Sequence, residues 1–306
     1  MPFTVISGTF HLVGRTRTGR LTGFEPDGDS IQFRPHKPKL LDGLERTGSP
    51  WRRSSIGSTQ LRFEGIDALE LHFDGLHQPR PLADQARDFL TGKLALNPVP
   101  YEPPSLIQVL PPVARDATPG YILSRALEPH GRPVAFAFTG DAPDVDGASF
   151  FLTSTALKRS LNYKILAAGH AYPLFYDTLF RDLRESYTRA VASARQKRLG
   201  LWAQDRTRTG LYVSTRDKLA RDAVVFPKLF RRLAEYLKVS TSMIGFLPWL
   251  EATKEQVLDL TTSGFTHLDD LLDRSGRTIS MKVDPEKIVV VSAKTSNAEV
   301  FPWLRH

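Results

Sequence analysis

The chain has 306 residues, enough to bury a large core in one domain or two modest ones. Its formal net charge of +8 favours a polyanionic partner, and the absence of cysteine excludes disulfides and thiolate metal sites. No apolar run is long enough to span a bilayer, so no membrane partner is expected.

Residues 1–14 lack a basic leader and interleave apolar with polar side chains. They read as a first strand rather than a signal peptide, and the expected location is cytoplasmic. Alternation over 4–13 leads to a basic hairpin tip, Arg15-Thr16-Arg17-Thr18-Gly19, and resumes over 30–33 and 60–63. The insertion near 36–59 holds Gly43, Gly48-Ser49-Pro50 and Trp51-Arg52-Arg53 and has loop composition. Residues 82–90 place Leu82, Ala86, Phe89 and Leu90 at helical spacing, and a proline-rich loop insertion occupies 97–120. Strands over 121–126 and 134–138 bracket Glu128-Pro129-His130-Gly131-Arg132. Helix signals follow over 157–168, with Gly169 as a natural C-cap, and over 174–198, whose stripe includes Tyr176, Leu179, Phe180, Leu183, Tyr187 and Val191. Trp202 then plugs the core. Beyond Asp205, residues 226–237 are amphipathic, with Phe226, Leu229, Phe230, Leu233 and Leu237 inward and Lys228, Arg231 and Arg232 on the solvated side. Residues 287–292 read as a buried strand.

The run Arg62-Phe63-Glu64-Gly65-Ile66-Asp67-Ala68-Leu69-Glu70 brings a guanidinium and carboxylates to the end of a strand. Metal-assisted attack on a phosphodiester uses such groups: one carboxylate holds the cation, a second accepts a proton from water, and an arginine fork grips phosphate oxygens. Asp27-Gly28-Asp29-Ser30 is a turn entering a strand, most often simply a hairpin turn. Its two aspartates, with a backbone carbonyl, also suit a hard cation that takes only oxygen ligands. Gly131-Arg132, at the mouth of a hairpin, reads on its own as a surface arginine. His72 and His77 have neither the spacing nor the third ligand of a zinc site.

Asp27-Gly28-Asp29, then Arg62 with Gly65, Ile66, Asp67, Ala68 and Glu70, then Gly131-Arg132, then Asn162, Gly169 and Ala171, and finally Ala194 and Gly200-Leu201-Trp202 resemble, in that order, the staphylococcal-nuclease-like (thermonuclease) family. The resemblance covers about residues 1–205. It implies an α+β fold, a five-stranded OB-type β-barrel with packed helices. It implies that Asp29 and Asp67, with the carbonyl of Ala68, ligate Ca²⁺ or another divalent cation. Glu70 would be the general base, and Arg62 and Arg132 would bind phosphate. The implied activity is hydrolysis of DNA or RNA at the bond between phosphorus and the 5′ oxygen, leaving 3′-phosphate ends. Substrate contacts are expected from His130, Tyr172 and Tyr176, with Trp51, Arg52 and Arg53 as a stacking and phosphate patch. Two departures stand out: Leu69 replaces a proline usual before the glutamate, and Pro129-His130 replaces basic and aromatic residues before the second arginine. Domains on this fold also serve as non-catalytic nucleic-acid or protein-binding modules, which is the alternative reading. No family resemblance is recognised over residues 206–306, which are expected to form a C-terminal domain or a mostly helical α+β extension, where a protein partner would bind.

Overall fold

Alternation over the first residues produces β1 (Phe3–His11), in which Val5, Ile6 and Phe10 are fully buried. The computed structural model describes residues 2–46 and 48–292. The expected basic hairpin is formed by β2 (Val13–Arg15) and β3 (Leu21–Gly23), with Arg15 to Gly19 at its tip. The chain then enters β4 (Gln32–Pro35). The insertion after it is not wholly loop: it holds α1 (Lys39–Asp42) and the short strand β5 (Glu45–Arg46). Next come β6 (Thr59–Gln60), β7 (Arg62–Phe63) and β8 (Ile66–Ala68), then α2 (Arg80–Lys93), β9 (Ala117–Leu127) and β10 (Pro133–Thr139).

The main sheet runs β6-β4-β1-β9-β10-β7. Only Leu61 separates β6 from β7, so the two ends of that order are consecutive pieces of one stretch of chain. Gln60 pairs with Gln32 on one side and Arg62 with Val134 on the other, and the sheet curls into a nearly closed, barrel-like layer. Phe10, Phe33, Phe63 and Phe136 fill it. At about 25 cal/mol per Å² of apolar surface removed from water, such side chains supply most of the drive for closure.

Helices cover the barrel. The 157–168 segment is two helices, α3 (Ser154–Leu157) and α4 (Leu161–Ala167), because Ser160 caps a new start by accepting the Tyr163 N–H at 3.1 Å. The strand β11 (Ser149–Phe150) precedes these helices and pairs with β1, and β12 (Ala171–Pro173) and β13 (Phe175–Tyr176) follow them. The helix expected over 174–198 therefore begins later, as α5 (Arg181–Gln196). Phe175 and Tyr176, within the expected helix, pair instead with Val289 and Val290, and residues 171–173 before them pair with β8, Tyr172 opposite Asp67. Asn162 fastens α4 to the barrel: its Oδ1 accepts from Ala137 N–H at 2.9 Å, and its Nδ2 donates to the carbonyls of Glu64 and Ala135, both at 3.0 Å.

Past residue 205 come α6 (Arg216–Asp222), α7 (Pro227–Tyr236) and α8 (Phe246–Glu251). Strand is as prominent there as helix, against the mostly helical expectation. The strands are β14 (Leu211–Tyr212), β15 (Gln256–Asp259), β16 (Gly264–His267), β17 (Leu272–Ser275), β18 (Thr278–Met281) and β19 (Ile288–Val290). Short hairpins such as β17–β18 and β15–β16 lack the length that makes an alternating pattern conspicuous. β19 pairs in parallel with β13, so the C-terminal strands join a stretch of chain that precedes α5. The last part of the expected extension, residues 293–306, and the end of the expected 287–292 strand beyond Val290 lie respectively outside the described residues and outside β19. Among the described residues, eight α-helices are present and none is long and apolar enough to cross a membrane.

A candidate active site at a buried acidic cluster

Two close approaches bring the separate motifs together. Gly28 sits so near the turn after β8 that an added Cβ would lie 2.6 Å from the Ala68 Cβ and 2.7 Å from that of Ala86. Gly65, at φ +80°, turns the chain between β7 and β8 where a side chain would strike the Tyr187 ring at 2.4 Å. As a result Asp29 reaches Ala68, whose N–H donates to Asp29 Oδ2 at 3.1 Å. Asp27 closes its own turn, with Oδ1 accepting from Gly28 N–H at 2.7 Å. Arg62, in β7, donates from Nη2 to the Tyr176 hydroxyl at 3.0 Å.

Asp67 is buried and Glu70 is half-buried, and both are held from within the protein. Arg231, from α7, donates from Nη2 to Asp67 Oδ2 at 2.9 Å and from Nη1 to Asp67 Oδ1 at 3.2 Å, and Nη1 also bonds Glu70 Oε1. The expected solvated face of α7 is thus corrected at all three basic positions. Lys228 is buried and pairs with Glu255, while Arg232 donates to Glu255 at 2.9 Å and to Glu235 at 2.8 Å. Burial alone would raise the Glu255 carboxyl, but Lys228 and Arg232 outweigh it and hold the group at about 2. The apolar side of α7 matches expectation, with Leu229, Phe230 and Leu233 in the core.

The acidic cluster is electrostatically strained. Burial, with Asp67 adding repulsion, pushes Asp29 up to about 6, against the opposing pull of the Ala68 N–H, Arg62 and Arg231. Burial likewise takes Glu70 to about 7, with Arg231 opposing and Asp67 and Asp29 reinforcing the rise. Asp27 is raised by burial and by its neighbours Asp29 and Glu70. Burial works against the charge on Arg231, yet Asp67 and Glu70 outweigh it and hold the guanidinium above its ordinary value. Tyr176 would be raised by burial, but Arg62 and Lys228 bring its hydroxyl below the usual range. When all are ionised, the carboxylates of Asp27, Asp29, Asp67 and Glu70 outnumber the guanidiniums of Arg62 and Arg231. That surplus on an oxygen-only donor set is chemically suited to a hard cation. As the side chains stand, no group of three or more His, Asp or Glu is arranged to hold a metal ion among the described residues.

Other expected site residues fall elsewhere. Arg132 donates from Nε to Glu128 Oε1 at 3.3 Å, and Glu128 also accepts the N–H groups of His130 and Arg132 at 3.1 Å. Arg132 therefore stands with its own hairpin and not in the Asp67–Glu70 contact. Tyr172 is fully buried beside Trp202, with its hydroxyl donating to Asp205 at 2.7 Å, and offers no ring face to a base. Trp51 is half-buried, its Nε1 donating to Asp42 at 2.7 Å, while Arg52, Arg53 and His130 are exposed. The 48–53 loop lies along the 128–132 hairpin through Ser49 N–H to Pro129 carbonyl at 3.1 Å and Arg52 N–H to Gly131 carbonyl at 3.3 Å. Leu69 lies in the core, 1% exposed.

Two residues that sequence reasoning did not single out shape the site. Gln78, fully buried, accepts the Glu70 N–H on Oε1 at 3.1 Å and gives its own N–H to the Glu70 carbonyl at 2.8 Å. Its Nε2 donates to the carbonyls of Ala223 and Val225, both at 2.8 Å. That amide ties the backbone of Glu70 to the segment before α7. Arg231 is the other; the only signal was a helix face with three basic residues, which calls for acidic partners elsewhere.

The fold and the site define an α+β protein in which a nearly closed barrel-like sheet carries a buried acidic cluster under an arginine of the C-terminal region. No family model matches the chain, and no curated protein matches it.

Proposed function

We propose that the chain is a phosphodiesterase of the thermonuclease type, acting on DNA or RNA. The observation that carries this reading is the meeting of Asp29, Arg62, Asp67 and Glu70, drawn from two stretches of chain, in one cluster. The strand pairing supports an OB-type five-stranded barrel beneath it: β1 with β4, β4 with the β6–β7 stretch, β7 in parallel with β10, β10 with β9, and β9 with β1.

In this reading Asp29 and Asp67, with the Ala68 carbonyl, would hold Ca²⁺ or another divalent cation. When bound, that cation would supply positive charge against the anionic phosphodiester. Glu70 takes a proton from the attacking water, a role for which a carboxyl raised to about 7 is well matched near neutral pH. The water oxygen bonds to phosphorus, the bond to the 5′ oxygen breaks, and that oxygen takes a proton from solvent. Arg62, oriented by Tyr176, grips the phosphate oxygens, and Arg132 adds charge once it turns from Glu128. Arg52, Arg53 and His130, exposed along the adjoining loop and hairpin, supply a basic approach for the nucleic-acid backbone.

A second reading is a non-catalytic nucleic-acid or protein-binding module. The specific observation in its favour is that Asp67, Glu70 and Arg132 all have internal partners. Incubating the protein with single-stranded DNA and RNA, with and without Ca²⁺, and analysing the product ends separates the two. Calcium-dependent products bearing 3′-phosphates, abolished by Glu70→Gln with binding retained, support the enzyme. Binding without cleavage under every divalent ion supports the module.

A further inference from the structure

Arg231 lies 161 and 164 residues from Glu70 and Asp67 in sequence, yet it satisfies both carboxylates. Its fork covers both oxygens of Asp67. That fork takes two of about four acceptor positions of the carboxylate, and its positive charge repels a divalent ion from the remainder. Lys228 and Arg232, on the same helix, pair within the C-terminal region through Glu255; Arg231 instead crosses to the barrel turn. A second tie joins the same two parts, because the Gln78 side chain binds the Glu70 backbone at one end and the carbonyls of Ala223 and Val225, just before α7, at the other. The turn carrying Glu70 and the segment leading into α7 are thereby linked through one buried amide.

Resting on the assignment of Asp67 as a metal ligand, we infer that Arg231 is an internal cation that competes with a divalent metal ion for Asp67 and Glu70. The C-terminal region then acts as a latch on the site. With Arg231 seated, the carboxylates are partly neutralised from within and the site stays shut at low calcium. With metal bound, Arg231 leaves and α7 loses its ionic anchor to the barrel. Such a device keeps a nucleic-acid-cleaving centre silent where free calcium is scarce.

Calorimetric titration of the full chain with Ca²⁺, then Mn²⁺, tests the latch without reference to cleavage. Arg231→Gln is expected to bind at least about tenfold more tightly than the native chain. Arg231→Lys, which keeps the charge but lacks the fork, should fall between them, and Asp67→Asn added to Arg231→Gln should remove the gain. Hydrogen exchange at residues 227–236 of the native chain should quicken on saturation with Ca²⁺. Equal affinity in the native chain and Arg231→Gln overturns the latch and leaves the phosphodiesterase reading to its product-end test. Binding in none of the variants overturns the latch and the cation assignment together. Should Arg231→Gln fail to fold, Arg231→Lys carries the comparison: tighter binding than native supports the latch, and unchanged affinity overturns it.

Discussion

The acidic turn at Asp67–Glu70 and the hairpin at Glu128–Arg132 both hold a buried carboxylate and neutralise it in opposite ways. In the hairpin the partner is local: Glu128 pairs with an arginine four residues on and accepts two backbone N–H groups of the same turn. In the turn, the partner is Arg231, which arrives from a helix far along the chain. Glu128 and Asp67 are equally buried, but the local pair leaves its arginine a third exposed, whereas the distant one shares a single guanidinium between two carboxylates and ties two parts of the molecule together. Losing the arginine should therefore cost less at the hairpin, where Glu128 keeps two backbone donors, than at the turn, where two carboxylates lose the guanidinium they share.

The sharpest way to break this contrast is at Arg231. Arg231→Ala leaves two buried carboxylates without their partner and should destabilise the fold by about 3–5 kcal/mol, measured by urea denaturation at pH 8. A loss below about 1 kcal/mol would place Arg231 with ordinary surface pairs.

Titration gives a second effect. Asp29 at about 6 and Glu70 at about 7 both lie above their unfolded values, so the folded state binds these protons more tightly. Their contribution is fully present below the unfolded values and is lost as pH rises through about 6 and then about 7. Stability should thus fall between pH 5 and pH 8 by something on the order of 4 kcal/mol, and Glu70→Gln should flatten the upper part of that slope. A native stability that rises across this interval would contradict the strained cluster. The smallest stability effect is expected at the hairpin, where Arg132→Ala should cost less than about 1 kcal/mol because Glu128 keeps its two backbone donors. In the phosphodiesterase reading the same substitution slows turnover more than it weakens nucleic-acid binding, and an unchanged rate would leave Arg132 a structural surface residue.

What the sequence discloses follows the same division between local and distant. The hairpin tip at Arg15–Gly19, the helix spanning Leu82–Leu90 and the buried Trp202 rest on spacing and turn chemistry within a few residues, and each was legible. The periodic stripe places the start of α5 too early because Tyr176 and Phe180 extend it, while pairing of Phe175 and Tyr176 with β19 overrides that pattern. Of the site, Asp29, Arg62, Asp67 and Glu70 could be read from motif order. Periodicity also identified the polar face of α7, but it tells which residues share a face and nothing of what covers it. Hence Arg231 was read as solvated. Gln78 left no trace at all, since a lone glutamine has no pattern and all its partners are backbone groups.

The most direct measurement is the rate of cleavage of end-labelled single-stranded DNA in Ca²⁺ by four proteins: the native chain, Arg231→Gln, Glu70→Gln and the double variant. A phosphodiesterase latched through Arg231 predicts calcium-dependent 3′-phosphate products, formed at lower calcium by Arg231→Gln than by the native chain and absent from both Glu70→Gln proteins. Intact DNA with all four, although each binds it, would contradict the account.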